Sequence, residues 1–158
     1  MKLSDLAKDK VTGLEGVITG HARHFNNVDR MFLQPQGVKD TGKTKDGEWF
    51  DVTRLEYVGP TDIEARSTGT MPFSYGDLVV DKLTGLRGRA VGYVTYLGGC
   101  LQVGIQPDVK KDGVPVEWQW LPVFQLKLVK AASKSITKND NGGPAAPMLS
   151  SMRDAETR

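Results

Sequence analysis

Several residues in this chain have types and spacings that could do chemistry. Gly37-Val38-Lys39-Asp40-Thr41-Gly42-Lys43-Thr44 satisfies the phosphate-loop pattern G-x-x-x-x-G-K-[ST] letter for letter. That pattern works where it joins a buried parallel strand to a helix whose N-terminal amides face the phosphate. Here Pro35 precedes it, and Lys45-Asp46-Gly47-Glu48-Trp49 follows, a run that cannot open a helix with an apolar stripe. No acidic strand suited to magnesium follows either. The expectation is a solvated hairpin loop, with no nucleotide and no other cofactor.

Asp9 and Asp81 stand at the same spacing before Thr12-Gly13 and Thr84-Gly85. A recurring carboxylate invites a catalytic reading. An Asp three residues before Thr-Gly, however, is placed to accept hydrogen bonds from turn N–H groups, and that structural role is expected. His21 and His24 are an odd number of positions apart in a strand pattern, so they point to opposite faces and share no metal. The chain's one cysteine, Cys100, excludes an intrachain disulfide and reads as a buried small hydrophobe rather than a reactive thiol. Trp118 and Trp120 share one face of a strand, with core packing expected and an exposed ligand platform as the alternative. No catalytic, cofactor-binding or metal-ligating set emerges, and the chain reads as non-enzymatic.

The elements that position these residues occur twice. Shifted by 72 positions, DLAKDKVTGLEGVITG (Asp5 to Gly20) lies on DLVVDKLTGLRGRAVG (Asp77 to Gly92). Gln34-Pro35 falls on Gln106-Pro107, Asp46-Gly47 answers Asp112-Gly113, Trp49 falls on Trp120 and Leu55 on Leu126. His21 and His24 are answered by Tyr93 and Tyr96. Each copy predicts five strands: Leu3 to Lys8, Val17 to Phe25, Val28 to Leu33, Glu48 to Asp51 and Leu55 to Val58 in the first. In the second they are Leu78 to Asp81, Arg89 to Leu97, Cys100 to Ile105, Glu117 to Trp120 and Leu126 to Val129. Asn26-Asn27 and Gly98-Gly99 make the tight turns. Five short strands, with a long curved second one and a single turn before the last, describe a small SH3-like barrel. The fold class expected is therefore all-β: two tandem five-stranded SH3-like barrels, residues 1–59 and 75–130, joined by a linker, 60–74, and followed by an extended C-terminal arm, 131–158.

Charge narrows the function classes. Lys and Arg against Asp and Glu number 9 against 9 over residues 1–60, 8 against 7 over 61–130 and 4 against 3 in the arm. No segment concentrates positive charge as a dedicated nucleic-acid binder does, so nucleic acid is not an expected partner. No apolar run is long enough to cross a membrane, and the N-terminal MKLSDLAKDK has no signal-peptide core.

The run Gly76-Asp77-x-Val79 … Thr84-Gly85-x-x-Gly88-x-Ala90 resembles the KOW and Tudor versions of the SH3-like barrel. The fuller pattern continues through Tyr96-Leu97-Gly98-Gly99-Cys100, Gln106-Pro107, Asp112-Gly113 and a Trp-bearing strand. It looks like that of small proteins encoded in tailed-bacteriophage and prophage genomes. The first copy departs from it, with Ser4 for Gly76, Asn26-Asn27 for Gly98-Gly99 and Val28 for Cys100. The resemblance implies a phage protein and carries over no catalytic residue. On that basis the chain is expected to be a virion component made in the host cytoplasm. It would decorate the capsid, or serve as a head–tail or tail accessory, in multiple copies against major capsid or tail proteins. Ile136, Met148, Leu149 and Met152 are the arm's apolar anchors for that docking. The alternatives are an intracellular anti-defence protein that sequesters a host factor or small signalling molecule, and a KOW-like nucleic-acid or ribosome binder.

Overall fold

A computed structural model describes residues 1–25, 28–108 and 112–133. They form an all-β body of ten antiparallel strands in one continuous sheet. The first five are β1 (Leu6–Asp9), β2 (Glu15–His24), β3 (Arg30–Gln34), β4 (Glu48–Asp51) and β5 (Leu55–Gly59). The second five are β6 (Leu78–Asp81), β7 (Arg87–Tyr96), β8 (Leu101–Pro107), β9 (Gln119–Pro122) and β10 (Leu126–Lys130). Each half repeats one pairing order, β5-β1-β2-β3-β4 and β10-β6-β7-β8-β9, with a single 3-10 turn before its last strand. The duplication read from the sequence is thus a duplication of topology.

Alternation explains the packing. Ile18 and Leu33 are directly opposite and both fully buried; with Ala7, Met31, Phe50 and Leu55 they form the first core. Val79, Ala90, Val103, Ile105 and Leu126 form the second, and Met71 and Phe73 from the linker pack against it. Both long strands shift register once, β2 between Ile18 and Gly20 and β7 between Ala90 and Gly92. Such a bulge bends a strand and strengthens its twist. On one edge the first half of β2 pairs with β1 and the second half with β7, while β3 follows the other edge through both halves.

That second half of β2 makes the bond between the repeats. Gly20, His21, Ala22, Arg23 and His24 pair with Tyr96, Thr95, Val94, Tyr93 and Gly92. Phe25 N donates to Val91 O at 2.8 Å and Leu97 N to Thr19 O at 2.8 Å, closing both ends of the ladder. Ala22 lies opposite Val94, its own counterpart in the duplication. A pseudo-twofold axis therefore passes between them. The linker crosses the same region, with Thr61 Oγ1 donating to Ser4 O and Arg66 N to Leu97 O.

Some expectations change in detail. The first strand begins at Leu6 rather than Leu3, because Ser4 takes φ 77° and breaks the extended run. Its counterpart Gly76 has φ 85°, so Ser4 occupies a left-handed position that suits glycine. Glu117 and Trp118 fall outside β9, whose ladder starts with Ile105 opposite Gln119. The chain before it is tied to β8 by Gln106 Nε2, which donates to Val116 O at 2.7 Å. Gln34 Nε2 makes the matching bond to Lys45 O at 2.6 Å, giving the repeated Gln-Pro pair a structural role. Cys100 is exposed in the Gly98–Cys100 turn, not buried, because β8 begins only at Leu101.

Candidate aromatic trough at the repeat seam

The strand register across the seam places residues in three rows on one face. The central row runs over six strands: Asp51, Arg30, Ala22, Val94, Gln102, Pro122. On one side lie Trp49, Phe32, Gly20 and Tyr96. On the other lie His24, Gly92, Gly104 and Trp120. Each position is matched by its duplicate across the axis: Arg30 by Gln102, Trp49 by Trp120, His24 by Tyr96 and Gly20 by Gly92.

The glycines set the height of the walls. A Cβ on Gly20 would meet the Trp49 ring at 2.9 Å, and one on Gly104 would meet the Trp120 ring at 3.1 Å. Each indole therefore lies over backbone where a side chain is missing. Trp49 meets Phe32 edge-on at 5.3 Å between ring centroids, and Trp120 sits 5.6 Å from His24. Trp118, exposed, is T-shaped to His24, with ring centroids 5.7 Å apart. Between these walls Ala22 and Val94 form a floor of small apolar side chains. The trough they bound, with Ala22, His24, Arg30, Trp49, Val94, Tyr96, Gln102 and Trp120 as its lining, encloses about 350 Å³. That is within the size range of small-ligand sites.

The polar groups of the trough are few. Arg30 at one end is engaged by Asp51 (Nε–Oδ1 3.3 Å) and donates from Nη2 to Trp49 O at 3.0 Å, so its cation is largely balanced. Gln102 takes its place at the other end. His24 Nε2 is buried and has no hydrogen-bond partner among the described residues. Burial pushes the His24 imidazole below its ordinary pKa, and the Arg30 charge acts in the same direction. It is therefore neutral near pH 7, with one ring nitrogen facing an unmet hydrogen bond. Burial also raises the Tyr96 phenol.

The residues singled out in the sequence separate into different places. His21 and His24 do point to opposite faces: His21 Nε2 lies 3.3 Å from Asp29 Oδ2, beneath the sheet, while His24 faces the trough. Asp9 and Asp81 serve their turns. Asp9 Oδ2 accepts from Thr12 N and Oγ1, both at 2.7 Å, and Asp81 Oδ2 accepts from Thr84 N at 3.0 Å and Thr84 Oγ1 at 2.5 Å. Asp9 has a further pair of bonds from Arg54, at 3.0 and 2.8 Å, which hold its carboxyl well below the usual range. The segment Gly37–Thr44 is an exposed hairpin: Val38 bridges Thr44, Lys39 N donates to Lys43 O, and Gly42 N donates to Lys39 O. The next element is the strand β4 rather than a helix, so no row of N-terminal amides faces a phosphate there. Trp49 and Trp120 are half-buried on the outer face of their strands, and it is Phe50 that enters the first core. Trp118 and Trp120 therefore form a surface wall rather than core, the alternative the sequence left open. Ile136, Met148, Leu149 and Met152 lie outside the described residues, as do Asn26 and Asn27.

Sequence reasoning missed the trough because its two halves come from separate repeats. The signal that could have found it was the recurrence of glycine at 20 and 92 beside tryptophan at 49 and 120. No protein-family model matches the chain, and no curated protein or solved structure is significantly similar to it.

Proposed function

We propose that this protein is a non-enzymatic structural component of a tailed-phage particle, built of two SH3-like barrels and acting by docking to other virion proteins. Capsid decoration is the role favoured, with head–tail or tail accessory next. The observation that carries the reading is the fusion of the repeats through β2 and β7 into one continuous sheet with an aromatic trough at its centre. A docking protein needs such a surface pre-formed, since ordering it on contact would cost affinity. Further contact surface comes from the ends of the sheet. Edge strands β5 and β10 expose Tyr57 with Val58 and Leu128 with Val129.

Particles purified after induction of the phage or prophage that encodes the chain test the proposal by quantitative mass spectrometry. The expected result is many copies per particle, in fixed ratio to the major capsid or tail protein. Its absence from particles, with abundance in the infected cytoplasm, overturns it. A second reading is favoured by the trough itself: an anti-defence protein that sequesters a small signalling molecule, with His24 Nε2 supplying a hydrogen bond to it. Nucleic-acid binding is disfavoured, because Arg30, the trough's cation, is already engaged by Asp51.

A further inference from the structure

The trough has the dimensions and chemistry of a groove for an extended peptide rather than for a compact ligand. Its central row spans six strands, about 24 Å at the usual strand spacing. Further hollows adjoin it, one at the Arg30–Asp51 end of the row and one beyond the flanking row of Trp49 and Tyr96. Indoles lying over glycines present flat faces, against which pyrrolidine rings pack well. A proline-bearing segment arrives already extended, so it loses little conformational freedom on docking. Its carbonyls need donors, and the trough offers the Gln102 amide and, in one tautomer, His24 Nε2. The engaged Arg30–Asp51 pair leaves the floor close to neutral, which suits an uncharged segment.

Such a segment exists in this chain. Gly142-Gly143-Pro144-Ala145-Ala146-Pro147-Met148-Leu149 is uncharged over its whole length and spaces two prolines three apart. The six residues 144–149 would span about 19 Å as a polyproline II helix, within the length of the row. The arm leaves from β10, the outermost strand of its path, with β6 and β7 between it and the seam. Ala132 N donates to Asp77 Oδ1 there, tying the first residues of the arm to the periphery.

We propose that the aromatic trough over β2 and β7 receives residues 144–149 of the C-terminal arm of a second copy of this chain. Pro144 and Pro147 pack against the tryptophan walls, and Met148 and Leu149 follow along the floor. Each copy then offers one arm and one trough, so the contact is head-to-tail and closes into a ring or continues as a chain. Arm exchange rests on the docking reading but is measured on the purified protein alone, so absence from particles and failure of exchange are read separately.

The test is self-association of the full-length protein, followed by sedimentation velocity over a wide concentration range. The expected result is a mass that rises with concentration. Pro144→Ala with Pro147→Ala should weaken association about tenfold or more, as should Trp49→Leu in the trough. An added synthetic peptide of residues 140–152 should dissociate the wild-type assembly. It should also shift the indole N–H resonances of Trp49 and Trp120 while leaving the circular dichroism unchanged. The arm variant leaves both cores untouched, so its result stands even if the tryptophan variant folds poorly. A monomer at every concentration overturns the proposal, as does association that survives the arm variant. Indole shifts in the wild type that do not change on dilution would place the arm in its own trough and overturn the exchange.

Discussion

Replacing Leu33 with Ala tests whether the two repeats are one folding unit. Leu33 is fully buried among Ala7, Ile18, Met31, Phe50 and Leu55, and it has no contact with the second core cluster. Truncating such a leucine costs about 3 kcal/mol, the transfer of its methyl groups plus the cavity they leave. The effect on melting depends on how much of the chain melts together. At about 2.1 cal/mol/K per residue, unfolding residues 1–133 as one unit has an entropy of about 0.28 kcal/mol/K. The single transition would then fall by about 10 °C. If the first repeat melted alone, with roughly 60 residues, it would fall by about 24 °C and the second would not move. The seam argues for one unit. Ala22 and Val94 are each covered by the other's repeat, and separating the halves would expose both and leave a ladder of backbone groups unpaired. Differential scanning calorimetry of the variant should show one peak, with calorimetric and van't Hoff enthalpies in agreement. Two peaks, one of them at the wild-type temperature, would refute the reasoning that the β2–β7 ladder couples the repeats.

Asp9, Ser4 and Cys100 each give a shorter test. The Asp9 carboxyl is held below its ordinary value of 3.8 by Arg54 and Thr12, so its contribution is complete above that value and is lost as pH falls through and below it. Asp9→Asn should lower the urea midpoint at pH 7 and make the loss of stability between pH 5 and pH 2 shallower than in the wild type; an unchanged acid slope would contradict the assignment. Ser4→Gly relieves a left-handed serine that costs about 1 kcal/mol, and should raise the melting temperature by about 2–4 °C. A lower melting temperature would mean that the Ser4 side chain contributes more than its backbone costs. Cys100, exposed in its turn, should react stoichiometrically with a thiol reagent without denaturant; protection until unfolding would contradict its placement.

Much of the fold was legible because its signals are local. The Asp-x-x-Thr-Gly turns need an acceptor three residues ahead and a left-handed glycine. Gly13 and Gly85 have φ 76° and 77°, as that pattern demands. Alternation over Glu15–His24 and Arg87–Tyr96 marked the long strands, with their ends shifted by only a few residues. Cys100 is exposed because β8 begins only at Leu101, and even within the strand its position would share the face of Gln102 and Gly104 rather than that of Val103 and Ile105 in the core. The core packing expected for Trp118 and Trp120 falls instead to Val103 and Ile105 of the neighbouring strand, since both indoles lie on the other face of the sheet.

By itself, then, the sequence determined the duplication, the strand order within each repeat, and the turns, because each depends on residues a few positions apart. Only the tertiary structure decided that the second half of β2 would pair with the second half of β7. A strand end whose partner lies 72 residues away carries the same alternation as a strand end facing water, so nothing local distinguishes them. That pairing turned two sets of outward-facing residues into a shared surface. It covered Ala22 with Val94, set Trp49 and Trp120 as facing walls, and withdrew His24 Nε2 from solvent without supplying a partner among the described residues. The trough is a property of the pair of repeats, since its floor and walls come together only when the two backbone edges share their hydrogen bonds.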